Sequence, residues 1–505
     1  MLATNNELNK SAWNWQSRSL FVVGDADQSI YSFRLADFRI LLGFQEDFGD
    51  GLSDDDTRTM IKLEENYRSR ENIIQAANAL IDNNTQRIDK VLKPTRDTGE
   101  QIYLYKADEE QQEARFVIKQ MQYMVKTHPE LNWGAFAILY RTNAQSRPFE
   151  DLLIQSNIPY NIVGGLKFYD RKEIKDALAY LRLLVNPDDT VSLLRIINTP
   201  RRGIGKATIN SLTDAAQELG VPLWDIISDE TSATTMSGRA AKSVNQFVQM
   251  IKTAQEKLET ATASELLNFV IEESGYVEQL KQKGTDEDDN RIANVYELNN
   301  AIVQFQEDNE ETSLEAFLSS AALASDLDSL DESEEKVSLM TLHAAKGLEF
   351  PLVFLVGVEQ GLLPHSRTLN DPIEIEEERR LCYVGITRAE EQLFITYTRE
   401  RRLWGYREPA IASQFLKEIP EDLIASNISP ENNYQRSKTA VVKQSLEQKI
   451  HWSVGDRILH KDFGEGEITH VLNGGTKPTL AVKFHELQRT KILSQSAPIE
   501  LLEKS

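Results

Sequence analysis

Apolar positions along this chain change their period several times, and the changes predict its elements. Leu20 to Val23 form a short apolar run that reads as a strand buried on both faces, followed by a polar loop holding Gly24, Asp25, Asp27 and Gln28. Residues 59 to 82 read as a strand running into a helix, because Ile73, Ile74, Ala77, Leu80 and Ile81 recur at helical spacing. From 135, "AFAILYRTNAQSR" is a second buried-strand pattern with a polar loop behind it. Residues 173 to 333 lose the strand signal and read as helices, as in "EIKDALAYLRLLV", "NSLTDAAQEL" and "VNQFVQMIKTAQEKL". Strands then return: "KVSLMTLH" and "PLVFLVGV" flank the loop "AAKGLEF", and "EEERRLCYVGITRAEEQLFITYT" reads as helix then strand. Alternating strands and helices imply an α/β fold with a parallel sheet, interrupted by one all-helical insertion. Residues 426 to 450 lack apolar periodicity and read as a linker, and "GDRILHKDFGEGEITHVLNGGTKPTLAVKFHE" has the short strands and Gly-rich turns of a small antiparallel barrel.

Charge narrows the function classes. A formal charge of -23 argues against a protein that coats nucleic acid indiscriminately, since phosphate contacts need Lys and Arg. Much of the acid sits in "DEEQQE" (108–113), "TDEDDN" (285–290) and "DLDSLDESEE" (326–335), which read as solvated faces or loops, while arginines gather elsewhere. With 505 residues, 40% hydrophobic and 27% charged, the chain has room for three or four domains. The single cysteine, Cys382, excludes an internal disulfide and suits a reducing compartment. No secretory signal or long apolar span is evident, so the expected location is cytoplasmic, with no membrane partner.

Two stretches carry candidate chemistry. Tyr31 and Phe33 alternate beside Arg34, a spacing that turns two rings to one side and suits stacking on the bases of a single strand. The segment "RRGIGKATI" sets Arg201, Arg202, Gly203, Gly205 and Lys206 ahead of a helix, where backbone amides and the helix dipole could grip a duplex phosphate. Lys206 does not belong to a G-x-x-x-x-G-K-[ST] phosphate loop, because Ala207 follows it, and no such loop occurs elsewhere. No acidic cluster suggests a metal site, so no metal ligand is assigned.

The stretches "FVVGDADQSIYSFRLADFRI", "LEENYRS", "TLHAAKGLEF" and "EEERRLCYVGITRA" resemble, in order, the third to sixth motifs of superfamily 1 helicases of the UvrD, PcrA and Rep group. "GGLKFYDRKEIKDALAYLRLL" and "NTPRRGIGKATI" are also similar, the likeness runs from about residue 20 to about 420, and the terminal barrel resembles the Tudor-like tail of those proteins. The resemblance implies a RecA-like motor domain over 59–168 and 334–425, a duplex-contacting helical insertion over 169–333, a remnant of the first RecA-like domain over 1–58, the linker over 426–450, and a Tudor/SH3-like barrel over 451–505. It also implies ATP and Mg²⁺ as cofactors, single-stranded and duplex DNA as partners, and RNA polymerase or repair proteins as partners of the barrel.

By the same resemblance Arg68 and Arg388 reach the γ-phosphate across an interdomain cleft, Gln28 senses it, Tyr67 stacks on adenine, Glu349 holds the ribose, and Thr341 and His343 contact the strand's backbone. A motor needs such arginines because charge rises on the transferred phosphate in the transition state. One departure stands out: Leu35 occupies a position where the family usually has glycine. A second is larger, since the family's phosphate loop and metal-binding acidic pair precede its third motif. The expectation is therefore the C-terminal part of an ATP-dependent 3′ to 5′ DNA helicase acting in repair or replication. Its N-terminal half, with the Mg²⁺ ligands, would be missing through a split gene, a truncation or a late start, and the chain alone would be inactive. The competing expectation is a non-catalytic DNA- and partner-binding fragment.

Overall fold

The computed structural model describes residues 21–32, 36–37, 39–50, 52, 59–326, 335–403 and 405–428, and, further on, 455–460, 464–472, 479–484, 490–494 and 499–503. Two compact units divide the chain, Met1–Asn427 and Ile428–Ser505. In the larger unit seven strands form one sheet: β1 (Ile102–Ala107), β2 (Phe136–Tyr140), β3 (Tyr160–Ile162), β4 (Val337–Thr341), β5 (Phe350–Leu355), β6 (Ala389–Thr398) and β7 (Ile424–Ser426). Their order is β7-β1-β6-β5-β2-β4-β3, and every neighbouring pair is parallel.

Helices cover both faces, which is why the strands read as near-continuous apolar runs. Phe136, Ile138 and Tyr140 face α2 (Glu110–Thr127) and α3 (Arg147–Gln155), packing with Val117, Met121, Phe149 and Leu153. Ala137 and Leu139 point the other way, with Ile73 and Ala77 of α1 (Glu71–Ile81) and Leu381 and Val384 from the helix Pro372–Ile386. That helix sits close to the sheet at Gly385, where a Cβ would lie 2.6 Å from Leu342 Cδ2.

The strand expected ahead of α1 shrinks to Glu65–Asn66, paired with Lys93–Pro94. The strand expected at Leu20–Val23 is not formed over its described residues: Phe21 and Val23 are 86% and 75% exposed. An apolar run becomes a buried parallel strand only when neighbours supply its hydrogen bonds and cover its faces, and none lies beside this one among the described residues. Residues 25–32 are anchored on the larger unit. Ile30 is fully buried in the same core as Ile73, Asp27 pairs with Arg87 at 3.1 Å, and Lys90 donates to Asp25 at 2.7 Å.

Between β3 and β4 the chain is helical, from α4 (Lys172–Val185) through α5 (Lys206–Leu219) to α6 (Asp286–Asp308) and the helix Leu314–Asp326. These helices enclose their own core, including Leu181, Phe247, Val270 and Leu298. Buried polar contacts tie them to the loops and helices of the sheet: Arg147 of α3 meets Glu297 of α6 at 2.6 Å, and Arg171 donates to the Asn143 carbonyl at 2.9 Å. In the smaller unit five antiparallel strands run in the order Thr490–Ser494, Thr479–Phe484, Gly464–Leu472, Arg457–His460, Ile499–Glu503, with Ile458, Ile468 and Val482 buried.

Candidate nucleotide and nucleic-acid interface

Arg68 and Arg388 lie 320 residues apart in sequence and converge in space. The loop carrying Arg68 is bent by Asn66, whose Oδ1 accepts from the backbone of both Arg68 and Ser69 at 3.0 Å. It is then stitched to the start of β6: Ser69 Oγ donates to the Ala389 carbonyl at 2.6 Å and Arg70 N to Glu390 O at 3.0 Å. Arg68 Nη1 donates to the Thr387 carbonyl at 3.2 Å, next to Arg388, and its Nε pairs with Glu349.

Arg388 is buried, with 2% of its surface exposed, and its guanidinium meets only neutral acceptors: Val384 O at 3.0 Å, Leu348 O at 3.0 Å and Thr387 Oγ1 at 3.2 Å. No carboxylate among the described residues forms an ion pair with it. Burial, then repulsion from Arg68, brings its pKa down to about 10. A buried cation without a counter-charge is costly, and with the Arg68 guanidinium beside it Arg388 forms a place where an anion would be favoured.

Gln28 stands on the short helical turn Ala26–Gln28, its Nε2 donating to Asp25 at 2.8 Å and its carbonyl accepting from Lys346 Nζ at 2.9 Å. The turn packs against the helix Pro372–Ile386, which leads directly into Arg388. Tyr67, adjacent to Arg68, is 71% exposed with its hydroxyl donating to Glu65, so its ring is open to a flat ligand.

Because β4 and β5 are parallel, residues 342–349 must return from the carboxyl edge of the sheet to the amino edge. His343 therefore lies near one edge and Glu349 near the other. Between them Lys346 sits 5.2 Å from the centre of the Tyr31 ring while bonding Gln28. Tyr31 in turn donates to the His343 carbonyl at 3.1 Å. Thr341 and His343 line a cleft of about 460 Å³ at the carboxyl edge, with Ser32, Arg141 and Asn290 among the other walls. Tyr31 thus packs against the loop that shapes this cleft. Phe33 and Arg34, and Leu35 with them, lie outside the described residues.

The basic Gly-rich segment divides in two. Arg202 turns inward, donating to the carbonyls of Ile196 at 3.0 Å and Pro200 at 3.2 Å and to Tyr180 Oη at 2.6 Å, with its guanidinium 5.2 Å from the Phe247 ring. With that set of partners it acts as a clamp on the loop. Arg201 and Lys206 stay exposed, Gly203 adopts φ +80°, and Gly205 caps α5 without a side chain to cover the first amides. Sequence reasoning missed Asn198, whose Oδ1 accepts from Arg202 N at 2.8 Å and Ile204 N at 3.3 Å, and so holds the segment's shape. It also missed Lys346 and Asn66. A signal for Asn66 was available, since Asn two residues before an arginine at a strand end favours such a turn.

Comparison with known proteins bears on the whole arrangement. The model of the UvrD-like helicase C-terminal domain matches residues 61–400, which hold both arginines, the parallel sheet and the helical block. The chain belongs to the UvrD-like helicase family. Models of the UvrD/REP helicase N-terminal domain and the PcrA/UvrD tudor domain match residues 2–49 and 454–501. Proteins named ATP-dependent DNA helicase PcrA are similar throughout. One from Staphylococcus epidermidis is 40% identical over 97% of this chain and 67% of its own length, and one from Bacillus subtilis is 39% identical over 96% and 67%. A solved C-terminal domain of a possible DNA helicase from Lactobacillus plantarum covers 72% of this chain at 10% identity, with a TM-score of 0.28, too low to bear on the fold.

These matches correct the expectation of a chain without first-domain sequence before its third motif. The UvrD/REP N-terminal model matches residues 2–49, so first-domain sequence is present ahead of the third motif, and 97% of the chain aligns with 67% of the Staphylococcus epidermidis relative. The arginine pair fits the phosphate end of a nucleotide. For Mg²⁺ the nearest carboxylates fit less well in this conformation, because Asp25 and Asp27 are engaged with Lys90 and Arg87. Among the described residues no helix is long and apolar enough to cross a membrane.

Proposed function

We propose that this chain drives ATP-dependent unwinding of DNA, as the relatives' name suggests, moving 3′ to 5′ on the single strand in repair or replication as the motif resemblance implies. Arg68 and Arg388 would hold the terminal phosphate, Gln28 would sense it, Tyr67 would stack on the base, and Glu349 would reach the ribose. Bound ATP supplies the free energy of the cycle. Lys346 would pass the state of the arginine pair to the strand, since one ammonium touches both the Gln28 carbonyl and the Tyr31 ring. Thr341, His343 and Tyr31 would track the single strand, with Arg201, Lys206 and the start of α5 on a duplex phosphate. The residues matching the tudor model would dock a protein partner such as RNA polymerase or a repair protein.

The observation that carries this reading is the burial of Arg388 on neutral partners beside a second guanidinium. Single-strand-stimulated phosphate release, together with binding of a fluorescent ATP analogue, tests it. Arg388→Ala should slow release by a factor on the order of 10³ while leaving single-strand affinity within about twofold. Unchanged nucleotide binding and turnover in both Arg68→Ala and Arg388→Ala would overturn it.

A further inference from the structure

The cleft lined by Thr341 and His343 has a second wall, the first turn of α6, where Asp286, Asp289 and Asn290 face it. Arg367 bridges the gap, with Nη1 3.3 Å from Asp286 and Nη2 paired with Asp289. We propose that Arg367 is a nucleic-acid phosphate contact of this cleft, masked by Asp286 and Asp289 until a strand enters. The proposal rests on reading the cleft as the single strand's track.

Three features single out Arg367. The other guanidinium of the cleft, Arg141, is held by both oxygens of the buried Glu378 at 2.8 to 3.1 Å and is not free to exchange partners. Arg367 is half exposed, as is Asp286, and an exposed ion pair of this kind contributes about 0–1 kcal/mol, while Asp289 is 28% exposed. Replacing the Asp286 pair with a phosphate is therefore close to balanced. The acids themselves are not stranded by the exchange, because they occupy the first turn of a 23-residue helix, whose dipole favours negative charge.

The backbone around Arg367 is also fixed: His365 N donates to Glu378 at 2.9 Å and Thr368 Oγ1 to the His365 carbonyl at 2.8 Å. Only the side chain needs to move. With the mask in place the cleft repels a polyanion, and without it one cation is added.

Fluorescence anisotropy with labelled oligo-dT, over a range of salt, tests this on the full chain. Asp286→Asn with Asp289→Asn should tighten binding about fivefold and steepen the fall of log K with log salt by about 0.7, the value of one added single-strand phosphate contact. Arg367→Gln should weaken binding, and added to the double variant it should cancel the gain. If the triple variant keeps the gain, the acids act only through their general field and the proposal fails. His343→Ala separates the two levels. Weakened binding there, with no response at Arg367 or the aspartates, overturns this proposal alone. No response at any of them overturns the track itself.

Discussion

Methionine placed at Arg388 and, separately, at Arg401 tests the central physical argument, because both guanidiniums are deeply buried and only one is paired. Arg401 bonds Glu359 at 2.7 Å and Glu113 at 2.8 Å, carboxylates that are 2% and 1% exposed. Its removal leaves two buried carboxylates without a counter-charge, a loss of about 3–5 kcal/mol. Arg388 presents the opposite balance. Its three hydrogen bonds carry a charged donor and are worth about 1.5 kcal/mol each at the low end of their range, so their loss costs about 4.5 kcal/mol. Against that, a pKa held at about 10 means a proton affinity several-hundredfold below that of an ordinary arginine, a penalty of about 3 kcal/mol on the charged form. The two largely cancel. Arg388→Met should therefore unfold in urea within about 1.5 kcal/mol of the parent chain, followed by far-UV circular dichroism at neutral pH, while Arg401→Met is severely destabilised. A triphosphate should stabilise the parent and not Arg388→Met. Equal destabilisation of the two variants would refute the claim that Arg388 is an uncompensated charge kept for a ligand.

Other outcomes follow from the same contacts. Burial by itself would raise the Glu359 carboxyl, but Arg401 and the Thr398 amide and hydroxyl bring it below its ordinary value. Its contribution is thus complete above the ordinary glutamate pKa of about 4.3 and fades as pH falls through the lower folded value, so Glu359→Gln should flatten the acid limb of a stability–pH curve. Arg96 bonds the Arg68 carbonyl and Glu391, and Glu391 also holds Arg70 at 2.8 Å. Arg96→Gln should weaken binding of a fluorescent ATP analogue several-fold with little change in melting temperature, and Arg96→Lys should recover part of it. Tyr67→Ala should leave stability within about 0.5 kcal/mol, as its ring is exposed, yet lower nucleotide affinity about tenfold, with Tyr67→Phe close to the parent.

How much of this was legible beforehand depends on the range of the cause. Apolar period is a local property, so the helix Glu71–Ile81, the strand Phe136–Tyr140 and the helix-then-strand at 372–398 could be read directly. The motifs, being short, singled out Arg68 and Arg388, which the fold brings together. The run at Leu20–Val23 misled because a strand is defined by neighbours, and a sequence window does not contain them.

Taken alone, the sequence determined the family, the alternation that builds a parallel sheet, and which residue types could face a phosphate. It did not determine which of those charges would be neutralised. Arg202 and Arg388 look alike in their own segments and both end on neutral acceptors, yet Arg202 is half-buried against the Phe247 ring while Arg388 lies buried beside a second guanidinium. Arg401, unremarkable in sequence, proved the best-paired guanidinium of the sheet edge. The physical reason is common to all three: the energy of a buried charge is set by partners within a few ångströms, and here those partners come from elements up to hundreds of residues apart, brought together only by folding.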